Sequence, residues 1–279
     1  MPTRPKGMTW QDDLSLRGRR KLSKLGRLFG RPSRAHFFSH GRMVSVEHRG
    51  TIADSEVIKQ CFGREQYRLP SHLTDYDAAA DKFAEYVLQN GRQPLIVDCG
   101  ANIGASALWF SARYPFAAIA AVEPASDNFS ILTRNVSRLP LVRTYLAGVS
   151  DQSGMTRLLD CGGGAWAYRT HPEGKGENVE LLRIRTILED FPADRFVPFI
   201  LKIDIEGAEK KLFDADQDAL ASFPVVIIEP HDWLMPGEKT SQGFFRFHSQ
   251  QGRDFSYHSE NVFSLDWTRL SATADLHHL

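Results

Sequence analysis

Residues 95–104 read Leu95-Ile96-Val97-Asp98-Cys99-Gly100-Ala101-Asn102-Ile103-Gly104. An apolar run ends in a carboxylate, and small residues follow at once. A helix-compatible segment then begins near Gly104 (Ala105, Ser106, Ala107, Leu108, Trp109, Phe110). A buried strand, a tight glycine turn and a helix start let a nucleotide lie against bare backbone. A pyrophosphate wants G-x-G-x-x-G, so that its oxygens reach backbone N–H groups at the helix start. Here position 102 is Asn and the second glycine comes at 104. Asp98, standing before the turn, repels a phosphate. A ligand without phosphate and with a positive charge suits the arrangement, and S-adenosylmethionine has that chemistry. An ordinary glycine-rich strand-to-helix turn is the plainer reading of the same string.

Outward from this stretch the pattern alternates. Leu95 to Val97 is a strand, Gly104 to Arg113 a helix, and Ala118 to Val122 a strand ending at Glu123. Ser126 can cap a helix that must end before Pro140. Val142 to Val149 is a third strand. Residues 151–186 break the rhythm with glycines and two β-like runs, Thr156 to Leu159 and Val179 to Ile184. Phe199 to Ile203 is a strand, Ala208 to Leu220 a helix, Val225 to Ile228 a strand and Gln242 to Gln251 a helix. Phe255 to His258 and Val262 to Leu265 close the sheet as a hairpin. Upstream, Val44 to Val46 reads as a short strand, Asp54 to Phe62 as a capped helix, and Thr74 to Asn90 as a helix stopped by Gly91. Apolar strands alternating with helices predict an α/β fold with a mostly parallel sheet covered on both faces.

Ligands in such folds sit beyond the carboxyl ends of the strands. Those ends carry Asp98, Glu123, Asp204 and Glu229, and carboxylates ending buried strands are costly unless used or paired. Glu123 is placed to accept hydrogen bonds from both ribose hydroxyls of a nucleoside; a carboxylate favoured by a helix dipole is the alternative. The cluster Lys202-Ile203-Asp204-Ile205-Glu206-Gly207-Ala208-Glu209 sets one cation and three anions around a strand end. Lys202 and Asp204 share a strand face, being two apart. Glu229-Pro230-His231 ends the next strand, so His231 hangs over the same crevice as a base or as the group that orients one. Asp204, Glu229 and His231 also make an oxygen-and-nitrogen donor set for a divalent cation, a reading not favoured here. Gly162-Gly163-Gly164 is a loop, with Trp166 and Tyr168 beyond it as pocket or core residues. Phosphate-loop, serine-elbow and zinc-protease motifs are absent.

These blocks together resemble the FkbM family of S-adenosylmethionine-dependent methyltransferases. The matching text runs from Val97 to Gly104, then Val122-Glu123-Pro124, Ala147 to Gly154, Leu201 to Glu209 and Ile228 to His231. The resemblance spans about residues 95–250. It implies a Rossmann-like class I fold with a seven-stranded sheet and methylation of hydroxyl oxygens on sugars or natural-product-like molecules. By motif, Asp98, Gly100, Asn102 and Gly104 hold the cofactor tail, Glu123 holds its ribose, and Lys202, Asp204 and Glu206 face the acceptor. An alcohol must lose its proton to become a nucleophile. Asp204 is the first candidate base and His231 the second; Lys202 is placed to steady the alkoxide, and Glu229 stands on the substrate side.

Composition bounds the rest. The 279 residues carry a formal net charge of zero, which names no partner. The neutrality hides eight basic and no acidic residues between Arg17 and Arg34, with Leu14, Leu22, Leu25, Leu28 and Phe29 at partly helical spacing. Residues 14–34 therefore suit peripheral contact with an anionic membrane, or else a solvated leader. A nucleic-acid substrate is disfavoured, since [DN]-P-P-[YF] is missing at the fourth strand; a nucleic-acid or membrane-surface methyltransferase and a non-catalytic nucleotide-binding protein stay open. Three scattered cysteines, no apolar span and no signal h-region point to a cytoplasmic protein, peripheral to a membrane at most. The expected organisation is a basic extension over 1–43, a helical lead-in over 44–94 and the methyltransferase domain over 95–279.

Overall fold

The computed structural model describes residues 33–160, 168–171 and 176–275. The basic leader up to residue 32, the Gly162–Gly164 loop and Trp166 lie outside the described residues. Strands β1 (Ser33–Ser39) and β2 (Arg42–His48) come first, then helix α1 (Ile52–Ile58), which runs on as a wider π-type turn over Lys59–Gly63, and α2 (Thr74–Gln89). The alternating part follows: β3 (Gln93–Cys99), α3 (Ala105–Arg113), β4 (Ala118–Glu123), α4 (Ser126–Val136) and β5 (Val142–Val149). The excursion holds β6 (Gly154–Asp160), β7 (Tyr168–His171) and β8 (Glu177–Leu182). Then come α5 (Ile184–Glu189), β9 (Phe196–Ile203), α6 (Glu209–Leu212), α7 (Gln217–Ala221), β10 (Val225–Ile228), α8 (Gln242–Gln250), β11 (Asp254–His258), β12 (Asn261–Leu265) and α9 (Trp267–Asp275).

One ten-stranded sheet has the order β11-β12-β10-β9-β3-β4-β5-β8-β6-β7. The strands from β10 to β8 in that order run parallel, and the β11–β12 hairpin joins β10 antiparallel, as expected for an α/β methyltransferase-like sheet. Counted from β11 to β5 the sheet has the seven expected strands. The excursion adds three more, with β6 antiparallel to both β8 and β7. Every residue of β4 is buried, because helices cover both faces. Alternate residues feed two cores. Ile96, Ile119 and Ile200 pack with α2, α3, α4 and α9 on one face. Leu95, Val97 and Leu201 pack with α5 to α8 on the other.

Three expectations are corrected. The boundary at residue 43 cuts through a folded hairpin, since Phe37 pairs with Val44 and Phe38 with Met43. That hairpin and the lead-in share the core of the main domain, with Val44, Val46, Ile58 and Ala80 packed alongside Ile96 and Phe110. The helix expected over Ala208–Leu220 is broken into α6 and α7. Asp216, with φ of 52°, leaves the helical path while its carboxylate takes hydrogen bonds from Arg183 and Arg185. Ser126 is the first residue of α4 and not its cap; its hydroxyl donates to Glu177 at 2.8 Å. At α1 the cap is Thr51, whose hydroxyl accepts from the Asp54 amide at 3.1 Å.

Two glycines are demanded by the way β3 meets its neighbours. Gly100 has φ of +80°, and a Cβ there would stand 1.8 Å from the Asp204 backbone oxygen. The closeness follows from β3 and β9 pairing to their ends, where the Asp204 amide donates to the Cys99 carbonyl at 3.1 Å. Gly104 has φ of +84°, and its Cβ would meet the movable Leu132 Cδ1 at 2.7 Å. Gly104→Ala is expected to cost about 1–2 kcal/mol for the left-handed backbone. Gly100→Ala adds a clash with main chain and is expected to cost about 3 kcal/mol or more. Urea unfolding of both variants checks this; a loss at position 100 no larger than at 104 would refute the backbone-contact explanation.

Candidate active site

The four strands β10, β9, β3 and β4 lie side by side, and their carboxyl ends bring Glu229, Asp204, Asp98 and Glu123 into one row. The Glu229 amide donates to the Ile203 carbonyl at 3.0 Å, so the expectation that Asp204 and Glu229 end adjacent strands holds. The row divides into two halves around Lys202.

On the β3–β4 side, the turn after β3 satisfies its own backbone. The amides of Gly100 and Ala101 both donate to the Val122 carbonyl, at 3.0 and 2.9 Å. The Asn102 amide donates to Glu123 Oε2 at 2.8 Å, and the Ile103 amide to Asn102 Oδ1 at 2.8 Å. The Gly104 amide closes on the Ala101 carbonyl at 2.8 Å. Asn102 itself is left-handed, with φ of 50°, a conformation Asn tolerates better than most residues. Five successive N–H groups are thus engaged within the protein, whereas a pyrophosphate loop turns such groups outward.

Glu123 is the acceptor at the centre of this half. Its Oε1 takes the Ala125 amide at 3.0 Å and Asn128 Nδ2 at 3.2 Å. The carboxylate therefore also caps the start of α4, where a negative charge is favoured. Burial pushes its pKa up to about 7, against the pull of those hydrogen bonds and of Lys202. A carboxylate offers about four lone-pair directions. Three are taken within the protein, leaving one. Asn128 also accepts from Arg49 at 2.7 Å, and Arg49 reaches Asp54 and Asp127, each at 2.6 Å. The lead-in thereby braces Glu123, a link with no signal in the sequence.

Asp98 and Lys202 stand elsewhere than expected. They are register partners on β3 and β9. Lys202 Nζ lies 3.0 Å from Asp98 Oδ1, donates to the Gly100 carbonyl at 2.7 Å and sits 3.6 Å from Asp204 Oδ2. It also lies over the Tyr67 ring at 5.7 Å. Burial pulls its pKa down, but Asp98, Tyr67 and Asp204 hold it well above the ordinary lysine value, so the ammonium stays charged. Asp98 is fully buried, with Ser106 donating to its other oxygen at 2.6 Å. One reading is corrected on this ground: Lys202, 1% exposed, does not face an acceptor. Asp98 lies buried beneath the turn, with one oxygen against Lys202 and the other on Ser106. Both position the glycine turn. Gly100 and Gly104 likewise answer to packing inside the protein.

On the β9–β10 side, carboxylates surround His231. Its Nδ1 donates to Glu209 Oε1 at 2.9 Å. Its Nε2 faces Glu206 Oε2 at 3.7 Å, Asp204 Oδ1 at 3.8 Å and Glu229 Oε1 at 3.9 Å. Burial lowers the imidazole pKa, yet the Glu209 hydrogen bond and the charges of Glu209, Asp204 and Glu206 raise it to about 10. Burial and repulsion from Asp204 push Glu229 up to about 8. Asp204 and Glu206 keep side chains a quarter exposed, while Glu209 is fully buried. The sequence pointed to every member of this group, but not to Glu209 as the partner that aims the imidazole. The turn after His231 folds back, with the Leu234 and Met235 amides on its carbonyl at 3.1 and 3.2 Å. Met235 then lies against Gly207, closing the far wall. Trp233 stands exposed on that turn.

Known proteins resemble this chain over part of its length. A methyltransferase of Sordaria araneosa, SdnD, is 29% identical over 42% of this chain and 58% of its own length. AMB antimetabolite synthetase AmbE of Pseudomonas aeruginosa is 28% identical over 50% of this chain and 8% of its own. The chain thus spans little more than half the length of the first relative and a small part of the second. Among solved structures, the O-methyltransferase TomG of Streptomyces achromogenes, in complex with SAM, covers 78% of this chain and 90% of its own, at TM-score 0.38 and 13% identity. Precorrin-6y C5,15-methyltransferase of Geobacter metallireducens covers 67% and 85%, at TM-score 0.35 and 16% identity. The methyltransferase FkbM domain matches residues 98–257, more than half of the 279. With that match over the glycine turn, all four acidic strand ends and His231, the chain belongs to the FkbM methyltransferase family.

Proposed function

We propose that this methyltransferase binds S-adenosylmethionine over the turn after β3 and transfers its methyl group to a hydroxyl of a sugar or natural-product-like acceptor lying over β9 and β10. One observation carries the cofactor reading: the amides of residues 100–104 are bonded within the protein, and a carboxylate, Glu123, stands at the crevice. Such a turn offers little to a pyrophosphate and suits a phosphate-free nucleoside with ribose hydroxyls to donate. The one free acceptor direction on Glu123 takes a ribose hydroxyl. The sulfonium is drawn toward the acidic half of the row by charge.

The transfer needs few protein groups. The acceptor oxygen attacks the methyl carbon in line, an O–C bond forms, and the C–S bond breaks with its electron pair going to sulfur. The hydroxyl proton passes to a base. Asp204 fills that role best on geometry: it is the partly open carboxylate at the end of β9, next to the cofactor half. The carboxylates around His231 raise its pKa to about 10, so without an ion in the cluster it orients and balances charge and does not take the proton. Exposed Trp233, on the turn beside this cluster, offers a flat face to the C–H groups of a sugar and supports that acceptor class. Alignment of the two reactants supplies much of the remaining rate.

Asp204→Asn is expected to lower kcat by roughly 100-fold or more, while affinity for S-adenosylhomocysteine stays near wild type; single-turnover assays with labelled methyl donor and calorimetry read the two quantities. Normal turnover in this variant removes Asp204 from the role. Cofactor affinity is also expected to depend on pH through Glu123. Its pKa is raised in the folded protein, so its contribution to stability is present below about 4.5 and is lost as pH rises toward about 7. Ribose donors favour the ionised form, so affinity rises with pH, by at most about tenfold per unit, and levels off above about 7. Calorimetric titrations between pH 5.5 and 8.5 check this, and Glu123→Gln is expected to flatten the profile.

A further inference from the structure

The β9–β10 end holds more negative charge than methyl transfer alone requires. Asp204, Glu206, Glu209 and Glu229 all stand within 4 Å of one imidazole. Lys202, the nearest other cation, is matched by Asp98 at 3.0 Å. Four carboxyl groups around one imidazole in a half-buried site make an imbalance of charge, which is costly in a medium that solvates ions poorly.

The imidazole gives that imbalance a direction. His231 is 2% exposed, so bulk water does not reach it freely. Its Nδ1 is fixed by fully buried Glu209, the arrangement in which a carboxylate orients a metal-binding histidine. Its Nε2 points at oxygens 3.7, 3.8 and 3.9 Å away, all too far for a hydrogen bond. These spacings match a shared ion, since ligand atoms about 2.1 Å from one centre stand roughly 3 to 4 Å apart. One oxygen each from Asp204 and Glu206 and one nitrogen of His231 lie within 4.8 Å of one another.

We infer that Asp204, Glu206 and His231 bind a divalent cation of the Mg²⁺ or Mn²⁺ class, with Glu209 as the positioning residue that aims the imidazole. Two carboxylates and one neutral imidazole suit such an ion, the Nε2 proton being released on binding, and leave coordination positions for water and for an acceptor hydroxyl. The inference deepens the function proposed above and rests on that reading for what the ion does. The ion would orient a bound hydroxyl and make it more acidic, and the hydroxyl proton would pass to Glu229, the carboxylate of the cluster outside the ligand set. Asp204 becomes a ligand, and the methyl transfer itself is unchanged.

The test uses the full chain with Mn²⁺ alone, free of cofactor and acceptor, and reads unbound Mn²⁺ by electron paramagnetic resonance. One ion per chain is expected. Glu206→Gln and Glu209→Gln are expected to weaken binding by about tenfold or more. Asp218→Asn, a change at a fully exposed carboxylate on α7, is expected to bind as wild type does. Glu206 sits on a partly exposed turn, so its variant keeps the test sound if Glu209→Gln fails to fold. Wild-type protein that leaves Mn²⁺ free at millimolar concentration overturns the inference, as does Glu206→Gln binding like wild type. A cluster built for the ammonium of an acceptor instead of an ion gives the first of these results. Mn²⁺ bound without any methyl transfer leaves this site standing and counts against the proposed function alone.

Discussion

A buried ammonium organises the active edge of this protein. Lys202 lies where β3 and β9 end together, and its charge is met by Asp98, by the Gly100 carbonyl and, at longer range, by Asp204. Removing one partner of such a pair would strand a charge in the core, so the two strands are tied at this point. The same contacts fix the direction of the Gly100 carbonyl and therefore the path of the turn. Gly100 has to be glycine because that path runs against the Asp204 backbone. A lysine buried beneath the turn thus sets the shape of both halves of the site.

Around it, carboxylates with similar sequence settings do different work. Asp98 is consumed in holding Lys202 and Ser106. Glu123 ties the turn to the start of α4 and keeps one acceptor direction open. Asp204, Glu206 and Glu229 converge on His231, which Glu209 holds from behind. Burial and neighbours separate their roles: a carboxylate with a cation beside it is spent, and one pressed against other carboxylates is poised for a cation or a proton.

The lead-in belongs to this machinery. Arg49 joins Asp54 of α1 to Asp127 and Asn128 of α4, and Asn128 donates to Glu123. Asn135 of α4 bonds the backbone of Glu47 on β2 and the carbonyl of Ile103 in the glycine turn. The hairpin and α1 therefore hold the turn from one side while Lys202 holds it from the other. Among the described residues no helix is long and apolar enough to cross a membrane.

Much of this was legible in the chain. The apolar run before Asp98, the Asn102 and Gly104 spacing and the acidic strand ends named the fold class, the glycine turn and the membership of the cluster near residue 204. Periodicity and strand-end chemistry are local, so they survive in a one-dimensional reading. The pairing of Asp98 with Lys202 escaped that reading for the opposite reason. Two residues more than a hundred positions apart become register partners only when β3 and β9 pair, and only that pairing buries both charges. The break between α6 and α7, the Arg49 bridge and the Glu209–His231 bond have the same origin. The sequence by itself determined which chemical groups gather at the strand ends. The tertiary structure decided which of them remain open, because exposure and pairing depend on neighbours that the chain order does not contain.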